Sequence, residues 1–321
     1  AAHEGDAAAG ARAQADYLKK FLADSIVRDF EHLRLTEFGG RKWVTMGQSY
    51  GGFLTLTTLS LFPAGVIASF TTGGIPHVPA CATEVYEHTF PRVIRKTAQF
   101  YERYPQDKER VAAIVEKLPT AAEVSEFVGK LTDSVLNPMA DTEVEHRLGV
   151  IAGMAAHGFP IMPNGDPLTV ERLQCLGSDF GMKPSFERVH WILDSAFLDG
   201  DGSASAASPL ADEFLTRVMN ATSSRPLYWP LQEFIYANGE MDQPIRWAAQ
   251  RVRDGKSEFG ADVRPLNFTG EAMFPWMFEQ EAALRPFKPA MDLLMEDTSF
   301  GVIYDEDQLA RNEVPLQAGV Y

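Results

Sequence analysis

The sequence predicts an α/β fold, a mostly parallel sheet with flanking helices, interrupted by a long and mainly helical insertion. Three observations carry this. The order helix, strand, tight glycine turn, helix, strand occupies the stretch from about Ala15 to Gly74. Apolar residues then recur at helical spacing over much of the stretch from Val85 to Arg253. A β-prone run returns only near the carboxyl end, at Val314–Tyr321. Alternating helices and strands are the signature of a parallel sheet, because crossover helices must cover its faces.

The first helix is expected from Ala15 to Leu35, where Tyr17, Phe21, Ile26, Phe30 and Leu33 recur at helical spacing between charges. Gly39-Gly40 ends it. Lys42–Met46 is short, β-prone and bounded by glycines, as a buried strand should be. It runs into Gly47-Gln48-Ser49-Tyr50-Gly51-Gly52 and then into an apolar helix, Phe53–Leu61, stopped by Pro63. Val66–Phe70 reads as a second strand, closed by Gly73-Gly74. Further helices are expected over Lys108–Leu118, Ala121–Leu131, Glu143–Ala156 and Leu210–Asn220. Turns such as Pro163–Asp166 and the small-residue loop Gly200–Ser208 separate them. Glu281–Glu296 reads as a helix bent by Pro286 and Pro289. The resulting division is a core over residues 1–76, a helical cap over 77–280 and a return to the core over 281–321. The last strand ends the chain, so the reading is of a fragment lacking both ends of its core.

With 321 residues, 45% of them hydrophobic, the chain can bury a large core. Its net charge of -15 repels phosphate backbones and anionic lipid, and no basic run offsets it. Nucleic acid and membrane are therefore unexpected partners. No stretch approaches the roughly 18 apolar residues of a spanning helix, and the amino terminus lacks the pattern of a secretory signal. Cys81 and Cys175 are the only cysteines and lie far apart, which suits free thiols in the cytoplasm. Neither belongs to a metal-ligand pattern, and no cofactor is implied.

Gly47-Gln48-Ser49-Tyr50-Gly51 has the form GxSxG. A serine hydroxyl is a weak nucleophile and needs an exposed, rigid position beside a base. A sharp strand-to-helix turn provides that position, and glycines on either side let backbone pack closely against it. The following helix points its amino terminus at the developing oxyanion, to which the Tyr50 N–H would donate. The pentapeptide alone is common; the strand before it and the helix after it make it a nucleophile elbow of the α/β-hydrolase type. In that arrangement an acid and then a histidine follow the serine. His77, His88, His146, His157 and His190 all fall in the insertion, and none follows His190. Each reads as a surface or structural histidine. Asp305 and Asp307 precede the final strand and read as loop acids.

The segment GQSYGGFLTLTTLSLFPAGV, preceded by ADSIVRDFEHLR and followed by TTGGIPHV, resembles the long form of the proline iminopeptidases, α/β-hydrolase serine peptidases. LQEFIYANGE, IRWAAQRVR, FTGEAMFPWMFE, LRPFKPAMDLL and LARNEVPLQAGVY extend the resemblance over nearly the whole chain. One departure is Leu22, where the family pattern has arginine. The resemblance implies release of amino-terminal proline from peptides through an acyl-enzyme on Ser49. It places the catalytic aspartate and histidine after Tyr321, and the upstream oxyanion loop before Ala1. It also implies that Glu233 binds the substrate's protonated imine, with Glu271 a second candidate and Glu240 a weaker third. Carboxylates in a partly dry pocket suit that task. Tyr236, Phe274 and Trp276 would form an apolar wall for the pyrrolidine ring. Three other readings stay open: an esterase-type hydrolase, a catalytically inactive fragment, and a glycine turn in an unrelated α/β protein.

Overall fold

A computed structural model describes residues 2–132, 143–182, 185–197, 209–223 and 227–320. In chain order the helices begin with α1 (Ala2–Leu18) and α2 (Ala23–Thr36), followed by strand β1 (Trp43–Gln48), α3 (Tyr50–Leu61) and strand β2 (Val66–Thr72). A helical stretch follows with α4 (Ala82–Arg103), α5 (Asp107–Val115), α6 (Ala121–Leu131), α7 (Glu143–His157), α8 (Val170–Gln174), α9 (Phe186–Asp194) and α10 (Asp212–Ser223). The chain closes with α11 (Ala248–Asp254), α12 (Met277–Gln280), α13 (Lys288–Met295), α14 (Glu306–Ala310) and strand β3 (Leu316–Gly319). The predicted loop at Gly200–Ser208 lies outside the described residues.

Two compact units emerge. The first comprises residues 1–85, 230–248 and 289–321; the second comprises 86–229 and 249–288. The first unit holds a small, all-parallel sheet in the order β1-β2-β3. Met46 pairs with Phe70 and Gly47 with Thr71, while Phe70 pairs with Gln317 on its other side. This is the predicted mixed α/β character, with strands set parallel by the α3 crossover. α3 covers one face, and close approach there is allowed by glycine. A Cβ on Gly47 would lie 2.0 Å from the Gly51 carbonyl oxygen, and one on Gly52 would lie 1.6 Å from that of Gly74. On the sheet's other side Val44, Met46, Ile67 and Phe70 are exposed.

The single helix expected over Ala15–Leu35 is instead two helices. The chain breaks at Leu22, which is extended and buried. The cause is tertiary: Lys19 Nζ donates to Asp297 (2.6 Å) and to the Ser299 carbonyl (2.7 Å), and it sits 4.6 Å from the Phe300 ring centre. These contacts hold Lys19–Phe21 in a tight 3₁₀ turn and override the periodicity. Gly39 and Gly40 end α2 in the left-handed region, at φ 60° and 73°. Arg34 ties that turn back to α2 by bonding Glu31 and the Arg41 carbonyl, and its guanidinium holds the Glu31 carboxyl below its ordinary pKa.

Near the carboxyl end, Glu281–Glu296 is not one bent helix. Arg285–Phe287 forms a 3₁₀ turn and only α13 is α-helical. Pro286 and Pro289 cannot donate backbone hydrogen bonds, so the ladder restarts at each. Within Val85–Arg253, expected to be mostly helical, the stretch 227–247 consists of turns and two short 3₁₀ segments. Gly239 there adopts φ 60°, and Arg246 and Trp247 adopt φ 50° and 55°.

The second unit is helical. Phe100, Phe180, Phe186 and Phe268 pack with ring centres 5.1–5.9 Å apart. Two buried charge clusters cross this core. Asp107 accepts from His190 Nδ1 at 2.8 Å and from Arg110, and Arg110 also reaches Asp194 at 2.7 Å. Arg172 lies 3.1 Å from Asp166 and 3.6 Å from Glu281, all three almost fully buried.

Candidate active site

β1 delivers Ser49 at its carboxyl end, and Tyr50 opens α3. Ser49 adopts φ 54° and ψ -121°, a conformation that side chains of its handedness rarely take. Three contacts over-determine the bend. The Ser49 N–H donates to the Thr72 carbonyl (3.0 Å), the Gly52 N–H donates to the Ser49 carbonyl (2.9 Å), and a Cβ on Gly74 would lie 1.8 Å from the Ser49 oxygen. Ser49 is exposed. A strained serine between a parallel strand and a helix amino terminus can present Oγ to a reactant. The amino terminus of α3, which Tyr50 opens, is the kind of position at which a helix dipole and a free backbone N–H can stabilise negative charge.

Within the same unit an aromatic line leads away from the bend. Tyr50 lies 5.6 Å from Phe53, and Phe53 lies 5.8 Å from Tyr236, ring centre to ring centre. The Tyr236 N–H donates to the Glu233 carbonyl at 3.2 Å. Glu233 is fully buried, and its Oε2 accepts from the Ala248 N–H at 2.9 Å, at the start of α11. Glu240 is exposed and accepts from Ser299 Oγ at 2.6 Å. Ser49, Tyr50, Tyr236, Glu233 and Glu240 thus all belong to the first unit, although residues 233–240 are far from Ser49 in sequence.

Glu271, Phe274 and Trp276 belong to the second unit. Glu271 is exposed and accepts from the Tyr228 hydroxyl. Phe274 and Trp276 are buried and stacked, 6.1 Å apart at 14°, with Arg253 5.8 Å from the Phe274 ring centre. The Trp276 Nε1–H is buried without a hydrogen-bond partner.

Several histidines have other partners. His77 Nδ1 lies 3.2 Å from Glu84, His157 stacks on Phe127 at 4.4 Å, and His190 stacks on Tyr104 at 4.0 Å as well as bonding Asp107. Asp305 caps α14 by accepting from the Gln308 N–H at 2.9 Å, and burial raises the pKa of Asp107. Cys81 and Cys175 are both free thiols, and burial pushes Cys175 up to about 12. Among the described residues no group of three or more His, Cys, Asp or Glu could hold a metal ion, and no helix is long and apolar enough to cross a membrane.

Residues with no sequence motif of their own also surround the bend. Asn238 Oδ1 accepts from the Ile303 and Tyr304 N–H groups at 2.8 and 3.1 Å, and its Nδ2 donates to the Tyr304 carbonyl at 3.2 Å. It fixes Tyr304 in the cluster against which Tyr50 and Phe53 pack. The only sequence hint was an asparagine before a glycine, which marks a turn. Leu22, the departure from the family pattern, is buried in the first unit.

No protein-family model matches the chain. It is similar to a protein named proline iminopeptidase from Aeromonas sobria, with 37% identity over 316 residues, covering 97% of this chain and 62% of that protein. It is also similar to a protein named proline iminopeptidase aneH from Aspergillus aculeatus, with 29% identity over 310 residues, covering 94% of this chain and 59% of that one. The chain is thus similar over nearly all its residues to two proteins named proline iminopeptidase, and it spans somewhat less than two thirds of the length of each.

Proposed function

We propose that this chain carries the nucleophile of an α/β-hydrolase serine aminopeptidase that releases amino-terminal proline from peptides. The observation that carries the reading is Ser49, strained at φ 54° between β1 and α3. The likeness to two proteins named proline iminopeptidase supplies the substrate class. In this reading a general base takes the Ser49 hydroxyl proton as Oγ attacks the carbonyl of the proline residue, the Tyr50 N–H donates to the oxyanion, and the same base returns the proton to the departing nitrogen. The peptide bond breaks, the shortened peptide leaves as an amine, and water hydrolyses the prolyl ester. Glu233 supplies the negative charge that a protonated imine needs, with Tyr236 beside it and Phe53 packed on Tyr236. Glu271, with Phe274 and Trp276, gives the second unit an acidic and aromatic group of the same chemical character. Glu240, exposed and bonded to Ser299, is the weakest of the three carboxylates for this role. The inserted helical cap expected over residues 77–280 corresponds in this reading mostly to the second unit, 86–229 and 249–288, and free thiols suit a cytoplasmic setting.

The test is hydrolysis of proline β-naphthylamide by the full-length gene product. Ser49→Ala should lower kcat by at least about a thousandfold while leaving the urea midpoint nearly unchanged. Activity retained in that variant would exclude the mechanism. An ester cleaved in place of the proline amide would point to the esterase-type reading.

A further inference from the structure

Tyr50 and Tyr304 both hold their hydroxyls buried and without a hydrogen-bond partner. They come from distant parts of the chain and meet in the first unit, where Tyr50 packs against the cluster of Ala23, Ile303 and Tyr304. Tyr304 is 3% exposed, and Asn238 clamps its backbone on both sides. Burial raises the pKa of both phenols; Tyr50 and Tyr236 add to the shift at Tyr304, and Asp24 adds to it at Tyr50. Both groups therefore stay protonated, and each can donate one hydrogen bond and accept at least one. A phenylalanine would fill either space without leaving a buried hydroxyl unpaired, and buried polar groups are paired in the great majority of proteins. Internal waters serve groups of this kind, typically through about 2–4 hydrogen bonds.

We propose that Tyr50 and Tyr304 share one internal water, and that Tyr304 is through it a positioning residue for the Ser49 bend. The bridge would tie the first residue of α3 to the Asn238-clamped segment. It would hold the Tyr50 backbone where its N–H faces the reacting centre. The proposal needs Ser49 to be a nucleophile but does not depend on proline as substrate.

Tyr50→Phe, Tyr304→Phe and the double variant, made in the full-length gene product, test it by thermal melting. If the water is shared, each single variant strands one hydroxyl and lowers Tm by about 2–4 °C. The double variant then melts no lower than the worse single one, because both sides are apolar. Singles that melt higher than wild type, or losses that add, would overturn the bridge. The second measurement is the rate at which a fluorophosphonate probe labels Ser49. It should fall about fivefold in Tyr304→Phe, since small misplacements of a nucleophile cost large factors. An unchanged rate, or no labelling of Ser49 in the wild type, would overturn the positioning role. Failure of proline β-naphthylamide cleavage with labelling intact would count against the peptidase reading alone.

Discussion

Glu233 combines two demands that usually conflict. It is fully buried, yet in the role proposed for it the carboxylate must meet a ligand. Its Oε2 accepts from the Ala248 N–H directly after two residues with positive φ, so it also holds a strained entry into α11. The two roles separate by substitution. Glu233→Gln keeps an acceptor for Ala248 and removes the charge; it should raise KM for proline β-naphthylamide about tenfold or more with little change in stability. Glu233→Ala removes the acceptor as well and should cost about 1–3 kcal/mol in urea unfolding. An unchanged KM in the glutamine variant would leave Glu233 a purely structural residue.

Glu281 in the second unit is a charge problem of another kind. One guanidinium, Arg172, faces both Asp166 and Glu281, and Glu281 Oε1 has no hydrogen-bond partner. Burial pushes its pKa up to about 7, with Asp166 adding to the rise and Arg172 opposing it. The folded value thus lies above the ordinary 4.5. The stabilisation this gives is fully present below about pH 4.5 and is lost as pH rises through about 7. Comparing Glu281→Gln with wild type isolates this group from all others. The variant should gain on wild type between pH 5 and pH 8, by about 3 kcal/mol at most. Urea midpoints that move in parallel over that range would show that Glu281 does not titrate there.

At the level of elements, what could be read in the sequence depended on how local its cause was. The unit β1–Ser49–α3 was legible because each part has a local reason. Lys42–Met46 is β-prone, the glycines at 47 and 52 permit the close approach at the bend, and Pro63 follows the end of the apolar helix. The start of α6 is equally local: Thr120 Oγ accepts from the Glu123 N–H at 3.2 Å while Glu123 Oε2 accepts from the Thr120 N–H at 2.7 Å. The break between α1 and α2 was not legible. Nothing near Leu22 stops a helix; the cause is Lys19 reaching Asp297 and Phe300, almost the whole chain away. The packing of Tyr50, next to the Ser49 bend, against the cluster of Tyr304 escaped for the same reason, since neither tyrosine carries a pattern that points at the other. The mostly helical character expected over Val85–Arg253 fails at 227–247, where Gly239 and the residues at 246 and 247 take left-handed conformations no helix allows.

For the molecule as a whole, the sheet itself sets the most testable property. All-parallel sheets are normally covered on both faces, because their crossover helices pack on each side. Here α3 lies on one face, whereas Val44, Met46, Ile67 and Phe70 are exposed by 59%, 78%, 55% and 41%. β1 is also an edge strand of the β1-β2-β3 order, so its outer backbone groups have no neighbouring strand among the described residues. A contiguous apolar surface beside an open strand edge favours dye binding and self-association. Residues 1–321 expressed alone should therefore bind the hydrophobic dye ANS while folded, and should associate in a concentration-dependent way. Val44→Lys with Met46→Lys places two charges on that surface without touching the face packed by α3. It should lower ANS fluorescence several-fold and shift sedimentation toward the monomer, while far-UV circular dichroism stays the same. If the double lysine variant binds as much dye as wild type, the exposed apolar surface lies elsewhere, and the sheet face exposed in this fold is covered in solution.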